Sequence, residues 1–356
     1  ALVGNLRNFV ASVEGFATLG FTNGIVKYVA EKEENSQELK RYFSTIFFTL
    51  LSAILVCSLV LFLFEAYWNS VVFGLDFEYI FVIKAFALAL PWYIGSLVII
   101  AIINGFAAFK KVIVINIIGN VLGLLVTIGL IFKFQTFGAL LAVVLSPAVL
   151  FFVTLFFIDK KWNIKSQISY QYFHFSVLKS MSEYSIMALF SIVLGPIIYL
   201  SIRTFIINTI GLSQAGYWEA VTRISTYYLL FLSTVLSVYY LPKLSKARTN
   251  DETKAIFRTY FTGIIPIFLI GLIAVYFLRF FIIRVLYTAE FLPISTLFFW
   301  QLLGDFFKGI SLILGFQFFA KKLTKAFLIT ELISLTILSV SSYYFITNFG
   351  IEGVVI

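Results

Sequence analysis

Uninterrupted apolar runs as long as a bilayer is thick restrict this chain more than any other feature. Ile46–Phe64 and Val112–Phe132 hold no charged residue, and a helix of about 20 residues crosses a hydrocarbon core of about 30 Å. Spanning strands would instead read as short segments alternating apolar and polar, and these runs do not alternate. Hydrophobic residues make up 61% of the 356 residues and charged ones 12%, with a mean hydropathy of +1.01. No water-soluble globule of this size has interior enough to hide so many apolar side chains. The expected fold class is an all-α polytopic membrane protein.

Ten complete spans are expected near 1–30, 41–64, 79–104, 112–133, 137–158, 182–206, 215–240, 255–278, 291–317 and 323–346, with an eleventh beginning near Gly350. Their loops alternate sides, and Lys and Arg content tells the sides apart. Loops on one side carry seventeen basic residues, among them Lys110, Lys111, Lys160, Lys161, Lys165, Lys243, Lys321 and Lys322. The other side has four, Lys133, Arg203, Arg279 and Arg284. The basic loops are therefore expected in the cytoplasm, and the loop bearing Glu65, Asp76 and Glu78 outside. Lys84, near an outer helix end, is expected to snorkel. This asymmetry accounts for the net charge of +9 without a nucleic acid partner.

Chemistry is sparse. The single Cys57 can form no internal disulfide, and the single His174, flanked by Phe173 and Phe175, suits an interfacial segment rather than a metal set. There is no phosphate-cradling Gly-rich motif and no nucleophile elbow. Neither an enzyme nor a cofactor is expected.

Short motifs recur at a near-constant distance. Gly105-Phe106 before Lys110-Lys111 returns as Gly315-Phe316 before Lys321-Lys322, Phe137-Gly138 as Phe349-Gly350, and Gly4 as Gly216, at separations of 210–212 residues. Five spans thus repeat as five. The 182–206 span is left unmatched, so its counterpart is expected to precede Ala1 and the last helix to be cut at Ile356. The resulting expectation is two parallel-repeat lobes of six helices around a central cavity: 1–158 as helices 2–6 of twelve, 159–181 as a cytoplasmic inter-lobe loop, and 182–356 as helices 7–11 with the start of the twelfth.

Two polar stripes mark the expected cavity walls. On Gly216–Ser245, Glu219, Arg223, Thr226, Ser233, Thr234 and Ser237 share one side; on the first span, Arg7, Ala11, Glu14 and Thr18 do. Charges inside a membrane are expensive, on the order of 3 kcal/mol each by insertion scales, and two such stripes imply a wet lining. Gln301, Asp305 and Lys308 share a face of the 291–317 span, where Asp305 and Lys308 could neutralise each other. Glu331 lies in the next span, and its counterpart at the repeat distance is Asn120.

Across essentially the whole chain the sequence resembles the O-antigen and enterobacterial common antigen translocases, lipid-linked oligosaccharide flippases of the multidrug/oligosaccharidyl-lipid/polysaccharide exporter superfamily. The likeness is carried by Asn23-Gly24-Ile25-Val26-Lys27-Tyr28-Val29-Ala30, by Ser237-Val238-Tyr239-Tyr240-Leu241-Pro242-Lys243-Leu244-Ser245, and by Trp300-Gln301-Leu302-Leu303-Gly304-Asp305-Phe306-Phe307-Lys308. The resemblance implies a twelve-helix fold in the bacterial inner membrane. It also implies a cationic cavity for the diphosphate and sugars of a polyprenyl-linked oligosaccharide, with Arg7 and Lys308 binding anion and Asp305 modulating them. Glu219, Arg223, Thr226 and Thr18 would complete the lining, while Glu14 or Glu331 could bind a coupling cation. Polysaccharide polymerase and chain-length proteins are the implied protein partners. A cation-coupled multidrug exporter of the same superfamily is the alternative.

Overall fold

The computed structural model describes residues 2–32, 36–74, 79–158 and 168–355, and every regular element among them is helical. Asp76, Glu78, Lys160, Lys161 and Lys165 lie outside the described residues. The chain divides into two compact units, Ala1–Leu189 and Phe190–Ile356, with the division falling inside the Phe175–Ile210 helix.

In the first unit the expected span 1–30 is two helices, Leu2–Ala17 and Thr22–Lys32, bent by 43°. Leu19 and Gly20 both adopt positive φ at the break. A Cβ on Gly20 would come within 2.2 Å of the Ala188 Cβ, so only glycine permits this approach. The Ser185 hydroxyl donates to the freed Leu19 carbonyl at 2.7 Å. Ser36–Leu63 and Ile80–Gly105 follow as long apolar helices, joined through the short Glu65–Phe73 helix. Lys84, expected to snorkel, is paired with Glu65 at 3.2 Å.

Phe109–Phe156 folds back on itself at Gln135, whose backbone (φ 51, ψ −125) is not helical. Its two halves run antiparallel: Gly119 sits against Leu150, Gly123 against Ser146, and Gly138 against the Leu130 carbonyl. Gly138 lets the halves close to a distance at which any Cβ would collide with backbone, while at Gly119 a Cβ would have to displace the end of the Leu150 side chain. Beyond it, Tyr170–Tyr172 forms a single turn fixed to the Ser36–Leu63 helix, since the Ser169 amide donates to Ser44 Oγ and the His174 amide to Thr45 Oγ1.

The second unit packs Ile202, Ile206, Ala215, Trp218 and Ile346 into one buried cluster. Leu212–Val235 continues through a five-residue π segment, Leu236–Tyr240, into Leu241–Lys246. Asn250–Thr259 opens with a capping box between Thr249 and Glu252 and runs on through a second π segment into Ile265–Leu286. The helix expected from 291 begins only at Phe298: Pro293 removes a donor, and Ala289–Thr296 is a 3-10 stretch instead. Thr324–Phe349 is the last long helix described. Taking the bent pair as one span and the two halves of the hairpin as two, the described helices match the ten expected spans.

The repeat is present, with a different register. The reversal at Gln135 recurs at Gly350 (φ 61, ψ −137), and the left-handed residue Ala107 (φ 55) recurs as Lys322 (φ 56). Both pairs are 215 residues apart, not 210–212. Glycines and lysines near helix ends recur for local reasons, so matching them slides the alignment by about one helical turn. At 215 residues, Glu331 corresponds to Asn116 and not to Asn120, and the Leu236–Tyr240 π segment corresponds to Phe21–Ile25, beside the break at Leu19-Gly20. Each unit therefore interrupts a regular helix at the same level.

Candidate functional site

Each unit holds a cavity of its own with charged or polar groups on its wall. In the first, of about 470 Å³, Arg7, Val10, Ala11 and Glu14 from Leu2–Ala17 face Tyr93 from Ile80–Gly105 and Thr127, Ala139 and Ser146 from the hairpin. Tyr93 donates from its hydroxyl to the Glu14 carboxylate. Arg7 is exposed to the cavity and has no ion pair among the described residues. Its guanidinium makes no ion pair with Glu14.

The cavity of the second unit, of about 320 Å³, is walled by Tyr199, Trp218, Thr222, Ser225 and Thr226 on one side and Gln301, Asp305, Lys308, Ser341 and Ser342 on the other. Asp305 is buried, and three neutral donors converge on its Oδ2: Ser225, Tyr228 at 2.5 Å and Gln301 at 3.1 Å. These three hydrogen bonds satisfy one oxygen of a buried acid that has no cation partner among the described residues. Lys308, which could have neutralised it, forms no ion pair among the described residues and lines the cavity.

The two cavities correspond residue by residue. Adding 215 to Val3, Arg7, Val10, Ala11, Glu14, Tyr93, Thr127 and Ala139 gives Trp218, Thr222, Ser225, Thr226, Leu229, Lys308, Ser342 and Val354, all of which line the second cavity.

Glu219 and Arg223 do not join that wall. Glu219 is shared between Arg223, whose Nε donates at 3.0 Å, and Arg203 from the Phe175–Ile210 helix. Sequence reading missed Arg203 as their partner because its only visible signal was a lone charge near the outer end of a span. Thr226 lines the cavity. Thr18 is buried and donates to the Glu14 carbonyl of its own helix at 2.8 Å, off the cavity wall. Glu331 lines neither cavity. Tyr93, Ser225 and Tyr228 were also missed; Ser225 and Tyr228, three apart and turned toward Asp305, were legible only once its helix had a neighbour.

Helical throughout its described residues and multi-pass, with a cavity in each of two repeated units, the chain has a fold that known transporters share. It superposes on a multidrug resistance MATE family transporter of the MOP superfamily in its outward-facing conformation, at a TM-score of 0.78 and 16% identity, covering 100% of this chain and 82% of that one. On a MATE transporter from Vibrio cholerae the TM-score is 0.76 at 15% identity, covering 100% of this chain and 86% of that one. The family model described as polysaccharide biosynthesis protein matches residues 5–296, and the chain belongs to that family. It is also similar to the Lipid III flippases of Escherichia coli (strain K12) and Shigella flexneri, each 27% identical over 361 residues, covering 99% of this chain and 84% of the relative. The resemblance to lipid-linked oligosaccharide flippases drawn from the motifs stands with these matches.

Proposed function

We propose that this protein is a flippase of the bacterial inner membrane, moving a polyprenyl-diphosphate-linked oligosaccharide, such as an O-antigen or enterobacterial common antigen repeat unit, from the cytoplasmic to the outer leaflet by alternating access. A diphosphate cannot cross hydrocarbon unaided, because its charge loses hydration that only compensating cations replace. The observation that carries the reading is Arg7: an always-charged group on a membrane helix, turned into a cavity and left without a carboxylate partner among the described residues. Its planar donors match phosphate oxygens. Lys308, equally unpaired, is a second cation for the anion's passage. Glu14, held by Tyr93, is the acid placed to exchange a coupling cation. Transport of this kind breaks no covalent bond and needs no cofactor; polysaccharide polymerase and chain-length proteins are the partners that would take up the product.

The test is surface polysaccharide per unit of membrane-inserted protein. Arg7→Ala should leave little transport at normal abundance, and Arg7→Lys should keep part of it, having the charge without the fork. Were Arg7 there only to balance Glu14, Arg7→Ala would lower protein level and adding Glu14→Ala would restore it. Normal transport by Arg7→Ala at normal abundance contradicts the proposal.

A further inference from the structure

We infer that the cavity of the Phe190–Ile356 unit is a saccharide-binding site, so that this unit reads the sugars of the cargo. The inference rests on the flippase reading and adds to it the place where sugar is recognised. Its warrant is the contrast between the two cavities at the same register. Where the first unit has Val10 and Ala11, the second has Ser225 and Thr226. At positions equivalent to Phe86 and Leu90, the second unit carries Gln301 and Asp305. Phe86 and Leu90 are buried off the first cavity's wall, whereas Gln301 and Asp305 line the second, which thus carries hydroxyl, amide and carboxylate on one scaffold.

Sugars ask for that chemistry. Their hydroxyls donate and accept at fixed angles, and their ring C–H faces lie against flat apolar surfaces. All three donors to Asp305 converge on Oδ2, and Oδ1 has no hydrogen bond among the described residues. It is open to a hydroxyl donor. Thr222 lines the same wall, and its Oγ1 is buried with no hydrogen-bond partner. Trp218 and Tyr199, stacked with ring centroids 6.0 Å apart and planes within 13°, supply the flat wall. A phosphate site would gather cations, and the lining offers Lys308 alone.

The experiment compares two probes on the whole chain in nanodiscs: undecaprenyl diphosphate, and the same lipid carrying the oligosaccharide made by the cell that encodes this protein. For the wild type, the sugar-bearing probe should bind at least tenfold more tightly. Thr222→Val and Thr226→Val, which keep side-chain shape and remove hydroxyls, together with Gln301→Ala, should each cut that ratio threefold or more and leave the bare lipid within twofold. Arg7→Ala should weaken both probes alike and keep the ratio. A wild-type ratio of one, or second-unit variants that weaken both probes equally, overturns the sugar site while leaving the flippase reading to stand on Arg7. If neither probe binds the wild type, the flippase reading falls first and this inference with it.

Discussion

Glu219 shows what a single residue's neighbours can change. Along the sequence it has one partner, Arg223 one turn on, and the pair reads as neutral. In the structure a second guanidinium, Arg203, comes from another helix, and the cluster carries one net positive charge. Removing the carboxylate leaves two guanidiniums in mutual repulsion. The three side chains are a third to two-thirds exposed, so the cost falls between that of surface and buried pairs, about 1–2 kcal/mol. Glu219→Ala should lower the unfolding midpoint of the detergent-purified protein, and adding Arg203→Ala should recover most of it. An additive double variant would show that Arg203 and Glu219 do not act together. Arg7, Glu14, Asp305 and Lys308 were legible in the sequence because a charge in an apolar run stands out. Tyr93, Ser225 and Tyr228 were not, because a tyrosine or serine in a membrane helix is ordinary until its partner is known.

At the scale of the element, hydropathy located the spans and said little of where helices break. The breaks depend on backbone contacts between elements: Gly20 against Ala188, Gly138 against the Leu130 carbonyl. In Gly138→Ala the new methyl would meet a backbone oxygen at 1.9 Å with no flexible side chain to yield. Overpacking of this kind costs about 1–3 kcal/mol or more, so the variant should show a lower thermal midpoint and reduced yield. Gly129→Ala, in the same hairpin with nothing near its Cβ, should be neutral; equal losses in both would contradict the hairpin packing. The repeat was legible in kind but misplaced by about a turn. Composition at helix ends is shared by many helices, whereas a left-handed residue such as Lys322 marks one place in the fold.

At the scale of the whole molecule, duplication gives two units one design and lets them diverge. The first unit keeps an arginine in an otherwise mainly apolar cavity; the second is lined with hydroxyls around a buried acid. Such a division suits a cargo with a charged group and a sugar chain. The MATE likeness speaks for the scaffold, and scaffolds of this kind host more than one activity.

The central claim is translocation itself. Proteoliposomes carrying a polyprenyl-diphosphate-linked oligosaccharide in both leaflets are treated from outside with a membrane-impermeant glycosidase, and the protected fraction is followed with time. With the wild-type protein, the inner-leaflet pool should become accessible far faster than in protein-free vesicles, and Arg7→Ala should slow it toward that background. An inner pool that stays protected, in vesicles where the same protein preparation moves a cationic dye, would contradict the account.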